Sequence, residues 1–92
     1  MIQKKAIIKS KYGLHARPSA LIATTSSKFS NTEVWIINPA TCKKIEAQSI
    51  LGLMMLELPS GSEVTIQAQG KHEEEAVEAI AKILETFEAD VI

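Results

Sequence analysis

One short segment of the sequence combines residue types that can do chemistry, Gly13-Leu14-His15-Ala16-Arg17-Pro18. Pro18 and the following run rich in Ala, Leu and Ile predict a helix that begins close to His15, because proline is tolerated in a first helical turn. The N–H groups and the positive dipole end of a helix start bind anions. Arg17 adds a fork of donors suited to phosphate oxygens. The spacing therefore predicts an anion site beside an imidazole.

The same surroundings should act on the ring of His15. Positive potential from the helix start and from Arg17 disfavours an imidazolium ion, so we expect a neutral ring with a nucleophilic nitrogen. A phosphoryl group added to that nitrogen would then meet the donors that had discouraged protonation. These residues alone leave another interpretation open, which is an ordinary loop histidine near an exposed arginine.

The elements that must position this segment are indicated by hydrophobic patterning. Residues 62–69 give the clearest strand, because Val64, Ile66 and Ala68 alternate with polar residues that include Gln67 and so predict one buried and one wet face. Ser49 is a credible N-cap for residues 50–56, although a buried strand remains an alternative there. Strands are predicted at 2–9, 32–37, 42–46 and 62–69, and helices at 16–29, at 50–56 and from residue 73 onward.

Further side chains are assigned by the same patterns. The last helix carries three glutamates in its first turn, where the helix dipole favours negative charge. Apolar elements place Trp35 and Met55 in the core. The first helix has Leu21, Thr25 and Phe29 on one face, and the last has an apolar stripe of Val77, Ile80, Ala81, Leu84 and Phe87.

The resulting order, β-α-β-β-α-β-α, predicts an α+β fold. A four-stranded antiparallel sheet with three helices on one face makes an open-faced sandwich. The length of 92 residues predicts one domain over 1–92.

Composition excludes several classes of function. The net charge of −1 gives no excess of positive charge to hold a nucleic-acid backbone, and one Cys excludes a disulfide framework or a multi-cysteine metal site. No signal peptide or membrane-spanning run is visible, so we expect a small soluble cytoplasmic domain. His72 beside three glutamates is expected on a solvated face, and Cys42 in a short strand is expected to have no chemical role. An RNA-binding or ligand-sensing module is disfavoured, because the strand at 62–69 presents Glu, Thr and Gln.

Two motifs carry a resemblance to a known family. Gly13 to Pro18, followed by a helix rich in small residues, resembles the phosphorylation site of HPr, the histidine-containing phosphocarrier of the bacterial sugar phosphotransferase system. Ser49-Ile50-Leu51-Gly52-Leu53-Met54-Met55 resembles the HPr segment around a regulatory serine. The resemblance extends over essentially the whole chain and implies the same fold.

The resemblance also implies roles for individual residues. His15 would accept a phosphoryl group on Nδ1 from enzyme I and donate it to sugar-specific IIA domains. Arg17 and the backbone of Ala16 and Arg17 would contact that group. Ser49 would be phosphorylated by HPr kinase/phosphorylase, and Leu51 and Met54 would dock partners.

A protein of this kind would be a carrier and not an enzyme. It would bind its partners as a monomer and would need no cofactor or metal. A regulatory or nitrogen-branch paralogue is the alternative within the family. The sequence departs from the family pattern in three places: a longer connection at residues 38–41, Glu46-Ala47-Gln48 before the serine, and residues 56–61. The second departure bears on recognition of Ser49 by the kinase.

Overall fold

The computed structural model describes residues 1–86, in which three helices cover a four-stranded sheet. The elements follow the order predicted from the sequence. They are β1 (Ile2–Ile7), α1 (Ala16–Ser27), β2 (Thr32–Asn38), β3 (Lys43–Glu46), α2 (Ile50–Met55), β4 (Glu63–Gly70) and α3 (Glu73–Thr86).

The strands lie in the order β1-β4-β2-β3, and every neighbouring pair is antiparallel. The register of β1 against β4 runs from Ile2 opposite Ala68 to Ile7 opposite Glu63. The first strand is therefore paired with the last one along the chain. This arrangement confirms the predicted α+β sandwich with an antiparallel sheet.

The core lies between the sheet and the helices. Alternate residues of each long strand point to this inner face, as the period of two requires. Burying each large aliphatic side chain contributes about 1.5–3 kcal/mol relative to leaving it exposed. The strands contribute Ala6, Val34, Ile36, Val64, Ile66 and Ala68, and the helices contribute Ile22, Leu53, Ala76, Val77, Ile80, Ala81 and Leu84.

The prediction that Trp35 belongs to the core is wrong. Val34 and Ile36 take the inner face of β2, so Trp35 is half-buried on the opposite face of the sheet. There Lys44 Nζ lies 4.4 Å from the centroid of its ring, within the range of a cation–π contact. Gln67, which is opposite Trp35 in the register, was expected on the wet face but is only 7% exposed.

Two helical assignments also need correction. Met55 is 65% exposed, because the short helix α2 buries only Leu53. The helix predicted over 16–29 ends at Ser27, so Phe29, assigned to one face with Leu21 and Thr25, lies beyond α1 and packs against the core. Leu21 is 44% exposed. Other residues form the buried face of α1. These are Pro18, Ser19, Ile22, Ala23 and Ser26.

The short strand begins one residue later than predicted. Cys42 has φ +60° and donates its N–H to the Asn38 carbonyl at 2.7 Å, so it closes the turn before β3. Phe87, assigned to the last apolar stripe, lies outside the described residues. Within residues 1–86 no helix has the length and apolar character needed to cross a membrane.

Candidate functional site

His15 is the N-cap of α1, as the position of Pro18 predicts. Its backbone is extended, with φ −95° and ψ −167°, and its carbonyl accepts the first helical hydrogen bond from Ser19 N–H at 3.1 Å. The imidazole does not cap the helix. The backbone thus places the ring at the helix start, and the ring does not accept a hydrogen bond from the first-turn N–H groups.

The loop before His15 is fixed by backbone contacts to a distant segment. Leu14 N–H donates to the Leu58 carbonyl at 2.8 Å, and the Leu14 side chain is buried. On the other side, the buried hydroxyl of Ser10 donates to the Gly13 carbonyl at 2.9 Å, and Gly13 N–H donates to the Ser10 carbonyl at 3.1 Å. These bonds anchor the residues on which the position of the imidazole depends.

Gly13 is required at its position for two separate reasons. Its φ of +72° lies in the left-handed region, which costs an L side chain energy. In addition, a Cβ built at Gly13 would lie 2.2 Å from the Leu58 carbonyl oxygen and 2.8 Å from Pro59 Cα. The first residue of the chemical motif therefore allows the close approach of two backbone segments.

The imidazole of His15 is partly enclosed by neighbouring residues. Its Nε2 atom is buried, while the residue as a whole is only partly buried. The exposed ring of Tyr12 stands edge-on to the imidazole, with centroids 5.8 Å apart and planes at 80°. Lys11 Nζ lies 5.4 Å from the Tyr12 centroid on the side of the loop.

The start of α1 supplies donors for an anion. The helical ladder begins at the N–H of Ser19, and Pro18 has no N–H, so the first-turn amides at the helix end are those of Ala16 and Arg17. Both residues are exposed. Two amides and the positive end of the helix dipole thus lie at the helix start that bears His15.

An open depression of about 400 Å³ adjoins the imidazole and extends to the end of α2. Its lining combines apolar side chains with one carboxylate. The lining residues are Tyr12, Leu14, His15, Met54, Glu57, Leu58 and Pro59. The structure therefore brings Met54 to the candidate site, whereas Leu51 and Ser49 do not line this depression.

The second motif forms the exposed helix α2. Ser49 is its N-cap, as predicted, and the Ser49 hydroxyl accepts a hydrogen bond from Gly52 N–H at 3.0 Å. The residue is exposed, so the hydroxyl can be reached from solvent. Large apolar side chains are exposed along the same helix. The exposed fractions are 42% for Ile50, 69% for Leu51, 39% for Met54 and 65% for Met55.

Sequence reasoning missed two residues of the site. Tyr12 contacts the imidazole across the turn at Gly13, and nothing in the spacing of the motif indicates that contact. Glu57 reaches the depression because residues 56–58 pass beneath the loop before α1, which is a tertiary arrangement. In the sequence, Glu57 is distinguished only by its position in residues 56–61, which depart from the pattern of the HPr family.

Residues 1–86 contain no group of three or more His, Cys, Asp or Glu side chains that could hold a metal ion. His72 is partly buried, and its Nδ1 lies 3.4 Å from Glu75 Oε1, one turn along α3. This pair is outside the depression beside His15.

Comparison with known proteins places the chain in one family. Residues 2–86 match the family described as the PTS HPr component phosphorylation site. The HPr-like protein Crh of Halalkalibacterium halodurans is 40% identical over 92% of this chain and 98% of its own. The phosphocarrier protein HPr of Mycoplasma capricolum is 38% identical over 91% of each chain.

Solved structures show the same fold. HPr-C-His from Thermoanaerobacter tengcongensis is 42% identical, with a TM-score of 0.83 over 91% of each chain. An HPr dimer from the same organism is also 42% identical, with a TM-score of 0.67 over 90% of this chain and 92% of that one. The fold is that of the HPr phosphocarrier proteins. The chain belongs to the HPr family of the phosphotransferase system.

Proposed function

We propose that this chain is a phosphocarrier whose His15 accepts a phosphoryl group on Nδ1 from phospho-enzyme I and passes it to sugar-specific IIA domains. The observation that carries the proposal is the imidazole at the start of α1 with Nε2 buried. Burial of Nε2 supports the proposal that Nδ1 is the nucleophile, beside the donors of a helix N-terminus.

The transfer step needs little from the protein beyond position and charge. The Nδ1 lone pair forms the new N–P bond while the bond between phosphorus and the donor breaks, and that electron pair stays on the donor. The Nε2 proton remains on the ring. Return of the phosphoryl group to an acceptor reverses the same step.

Arg17 and the amides of Ala16 and Arg17 would stabilise the phosphoryl oxygens. The site is exposed, so these interactions are weakened by water and salt. Modest stabilisation suits a carrier, because a phosphoryl group that is bound too firmly would not be handed on. The chain would then act stoichiometrically, without a cofactor or metal and without turning over a small molecule as an enzyme does.

Leu51 and Met54 are the proposed docking residues for both enzyme I and the IIA domains. Met54 lies in the depression beside His15, and Leu51 is among the most exposed apolar residues of α2. A patch of this kind suits brief contacts with several partners, which use small interfaces. We place the protein in the cytoplasm, where such partners would charge and discharge it.

Ser49 is proposed as a regulatory phosphorylation site for an HPr kinase/phosphorylase. Its exposed hydroxyl lies at the start of the helix that carries the docking residues. A phosphate there would add about −1.5 to −2 charges to the surface that partners must cover. Phosphorylation would therefore weaken docking without the need to unfold the domain.

A regulatory role is the second candidate, supported by 40% identity to a protein named HPr-like protein Crh. In that case phosphorylation would signal and would not feed sugar uptake. Either role is compatible with a monomer, which we propose, although one similar structure is an HPr dimer. Light scattering at micromolar concentration should give the monomer mass.

The decisive experiment is incubation with phosphoenolpyruvate and enzyme I, read by intact mass. The wild type should gain one acid-labile phosphate, and His15→Ala should gain none. His72→Ala removes the other histidine of the chain and is the matched control, which should be phosphorylated like the wild type. The carrier proposal is contradicted if the wild type stays unmodified. It is also contradicted if His15→Ala gains as much phosphate as His72→Ala.

The Ser49 proposal has a separate test. Incubation with ATP and HPr kinase/phosphorylase should give an acid-stable phosphate that is lost in Ser49→Ala and retained in Ser60→Ala, an exposed serine in a turn. If the wild type is not modified while HPr from the kinase's own source is, Ser49 is not a site for this kinase.

A further inference from the structure

Glu57 occupies a backbone position that does not favour its residue type. It follows Leu56, the C-cap of α2, and has φ +52°, with its N–H donating to the Met54 carbonyl at 3.1 Å. Helices often end on a left-handed residue at this place, and that residue is usually glycine, because a Cβ makes the conformation costly. A glutamate is therefore retained here against a local preference.

The charge of Glu57 is unfavourable as well. Its side chain lies just past the C-terminus of a helix, where carbonyl groups disfavour an anion. Among residues 1–86 no side chain or N–H group forms an ion pair or hydrogen bond with its carboxylate. Within residues 1–86 no contact offsets either cost, which indicates that the glutamate serves function and not stability.

The location of Glu57 connects it to the reacting ring. Glu57 and His15 line the same open depression, which Met54, Leu58 and Pro59 also line. The next carbonyl along the chain, that of Leu58, accepts the hydrogen bond from Leu14 that anchors the loop before His15. Glu57 and the proposed phosphoryl acceptor thus line one open depression.

We propose that Glu57 sets the energy of the phosphorylated state: its carboxylate repels the phosphoryl group on His15 and so favours onward transfer. This inference rests on the proposed function of His15. Glu57 has no part in making or breaking bonds in this proposal. It acts through charge on the product of the step.

The direction of the effect follows from the charges. The step forms an N–P bond at Nδ1 and breaks the donor's bond to phosphorus, which brings about −1.5 to −2 charges to the depression. The neighbouring carboxylate raises the free energy of this state and leaves the unphosphorylated state unaffected. Because both groups face solvent, the repulsion is partly screened, and we expect it to shift the equilibrium about three- to tenfold.

A competition experiment measures this shift directly. Wild type labelled with ¹⁵N is mixed with unlabelled Glu57→Gln, enzyme I and a limiting amount of phosphoenolpyruvate, and intact mass gives the phosphorylated fraction of each chain. Gln keeps the size and the backbone of Glu57 but removes its charge. Glu33→Gln is the matched control, because Glu33 is an exposed carboxylate opposite Gln69, at the other end of the sheet.

At low salt the quotient of phosphorylated to unphosphorylated Glu57→Gln, divided by the same quotient for the wild type, should give a ratio of about three to ten. For Glu33→Gln this ratio should be near one. At about 1 M salt the ratio for Glu57→Gln should fall toward one. Glu57→Gly should show the same shift and also melt at a higher temperature, because it relaxes the backbone. A purely structural role would change the melting temperature alone.

A small donor separates this inference from the proposed function. Phosphoramidate gives its phosphoryl group to an imidazole nitrogen and releases ammonia with the electron pair of the broken N–P bond, without enzyme I. Phosphohistidine lifetimes measured afterwards by ³¹P NMR should be longer in Glu57→Gln than in the wild type. If the wild type accepts phosphate on His15 but Glu57→Gln behaves like Glu33→Gln, the role of Glu57 is wrong and the carrier function stands. A wild type that accepts no phosphate from either donor overturns both.

Discussion

At the scale of single residues, the left-handed backbone of Gly13 determines where the imidazole of His15 lies. The turn lets residues 13–14 approach the backbone of Leu58 and Pro59, and the Leu14–Leu58 hydrogen bond then fixes the start of α1. The motif was recognisable because residue types and spacing are local properties. Tyr12 and Glu57 were not recognisable, because only the folded chain brings them to the ring.

Replacing Gly13 with alanine should destabilise the domain and damage the site. The new Cβ adds a clash with the Leu58 carbonyl oxygen to the cost of a left-handed backbone, so we expect a loss of about 3 kcal/mol or more in the free energy of unfolding. Urea denaturation measures the loss, and phosphorylation by enzyme I should fall with it.

Gly61→Ala is the control for Gly13→Ala. Gly61 has φ +90°, but nothing lies within 4 Å of a Cβ built there. Its cost should be limited to the backbone term, about 1–2 kcal/mol, with phosphorylation retained. Equal losses in the two variants would show that the approach of Leu58 to Gly13 is not tight.

At the scale of elements, α2 links stability to the proposed regulation. The helix has only six residues and one buried side chain, so the Ser49 cap is a large part of what defines its start. The sequence predicted this cap from residue types. It did not predict that Met55 would be exposed, because an apolar run of this length does not show which side chains face the core.

Ser49→Ala should lower the free energy of unfolding by about 1 kcal/mol, because Gly52 N–H loses its acceptor. Ser49→Asp can keep the cap and should remain within about 0.5 kcal/mol of the wild type. Fluorescence of Trp35, the single tryptophan, reports unfolding in urea. Ser60→Ala, with no cap to lose, should stay close to the wild type, and a Ser49→Ala variant as stable as this control would refute the capping role.

At the scale of the whole molecule, ion pairs hold the N-terminal strand against the last helix. The amino group of Met1 lies 3.3 Å from Glu73 Oε2, and Lys4 Nζ contacts both carboxylate oxygens of Glu78 at 2.9 and 3.0 Å. Glu73 also accepts a hydrogen bond from Gly70 N–H. That bond, and then the Met1 amino group, hold the pKa of Glu73 below its ordinary value.

The lowered pKa of Glu73 predicts a pH dependence of stability. A depressed carboxyl pKa stabilises the fold at neutral pH, and this contribution is lost as the pH falls through the folded-state pKa. Glu73→Gln should therefore be less stable than the wild type at pH 7, and the difference should narrow below the ordinary value of 4.5. Urea midpoints across this range test it. Glu74→Gln, an exposed neighbour in the same turn, should show a smaller difference at pH 7.

The overall architecture was largely predictable, because the periods of the strands and helices survive in the sequence. Val64, Ile66 and Ala68 occupy the inner face as their alternation indicates. Failures occurred where packing overrides local pattern: Trp35 lies on the outer face of the sheet, and Met55 is exposed on α2. The sequence also could not indicate which strands are neighbours, since pairing of β1 with β4 depends on contacts distant along the chain.

The position of β1 beside β4 has a consequence for the order of events during synthesis. The N-terminal strand has no neighbour in the sheet until residues 63–68 of β4 are available, and the loop before His15 has no anchor until Leu58 is. The chemical motif leaves the ribosome early, but the acceptor is assembled only after most of the chain has been made. A prematurely terminated chain that ends before Leu58 would contain His15 and still offer enzyme I no organised target.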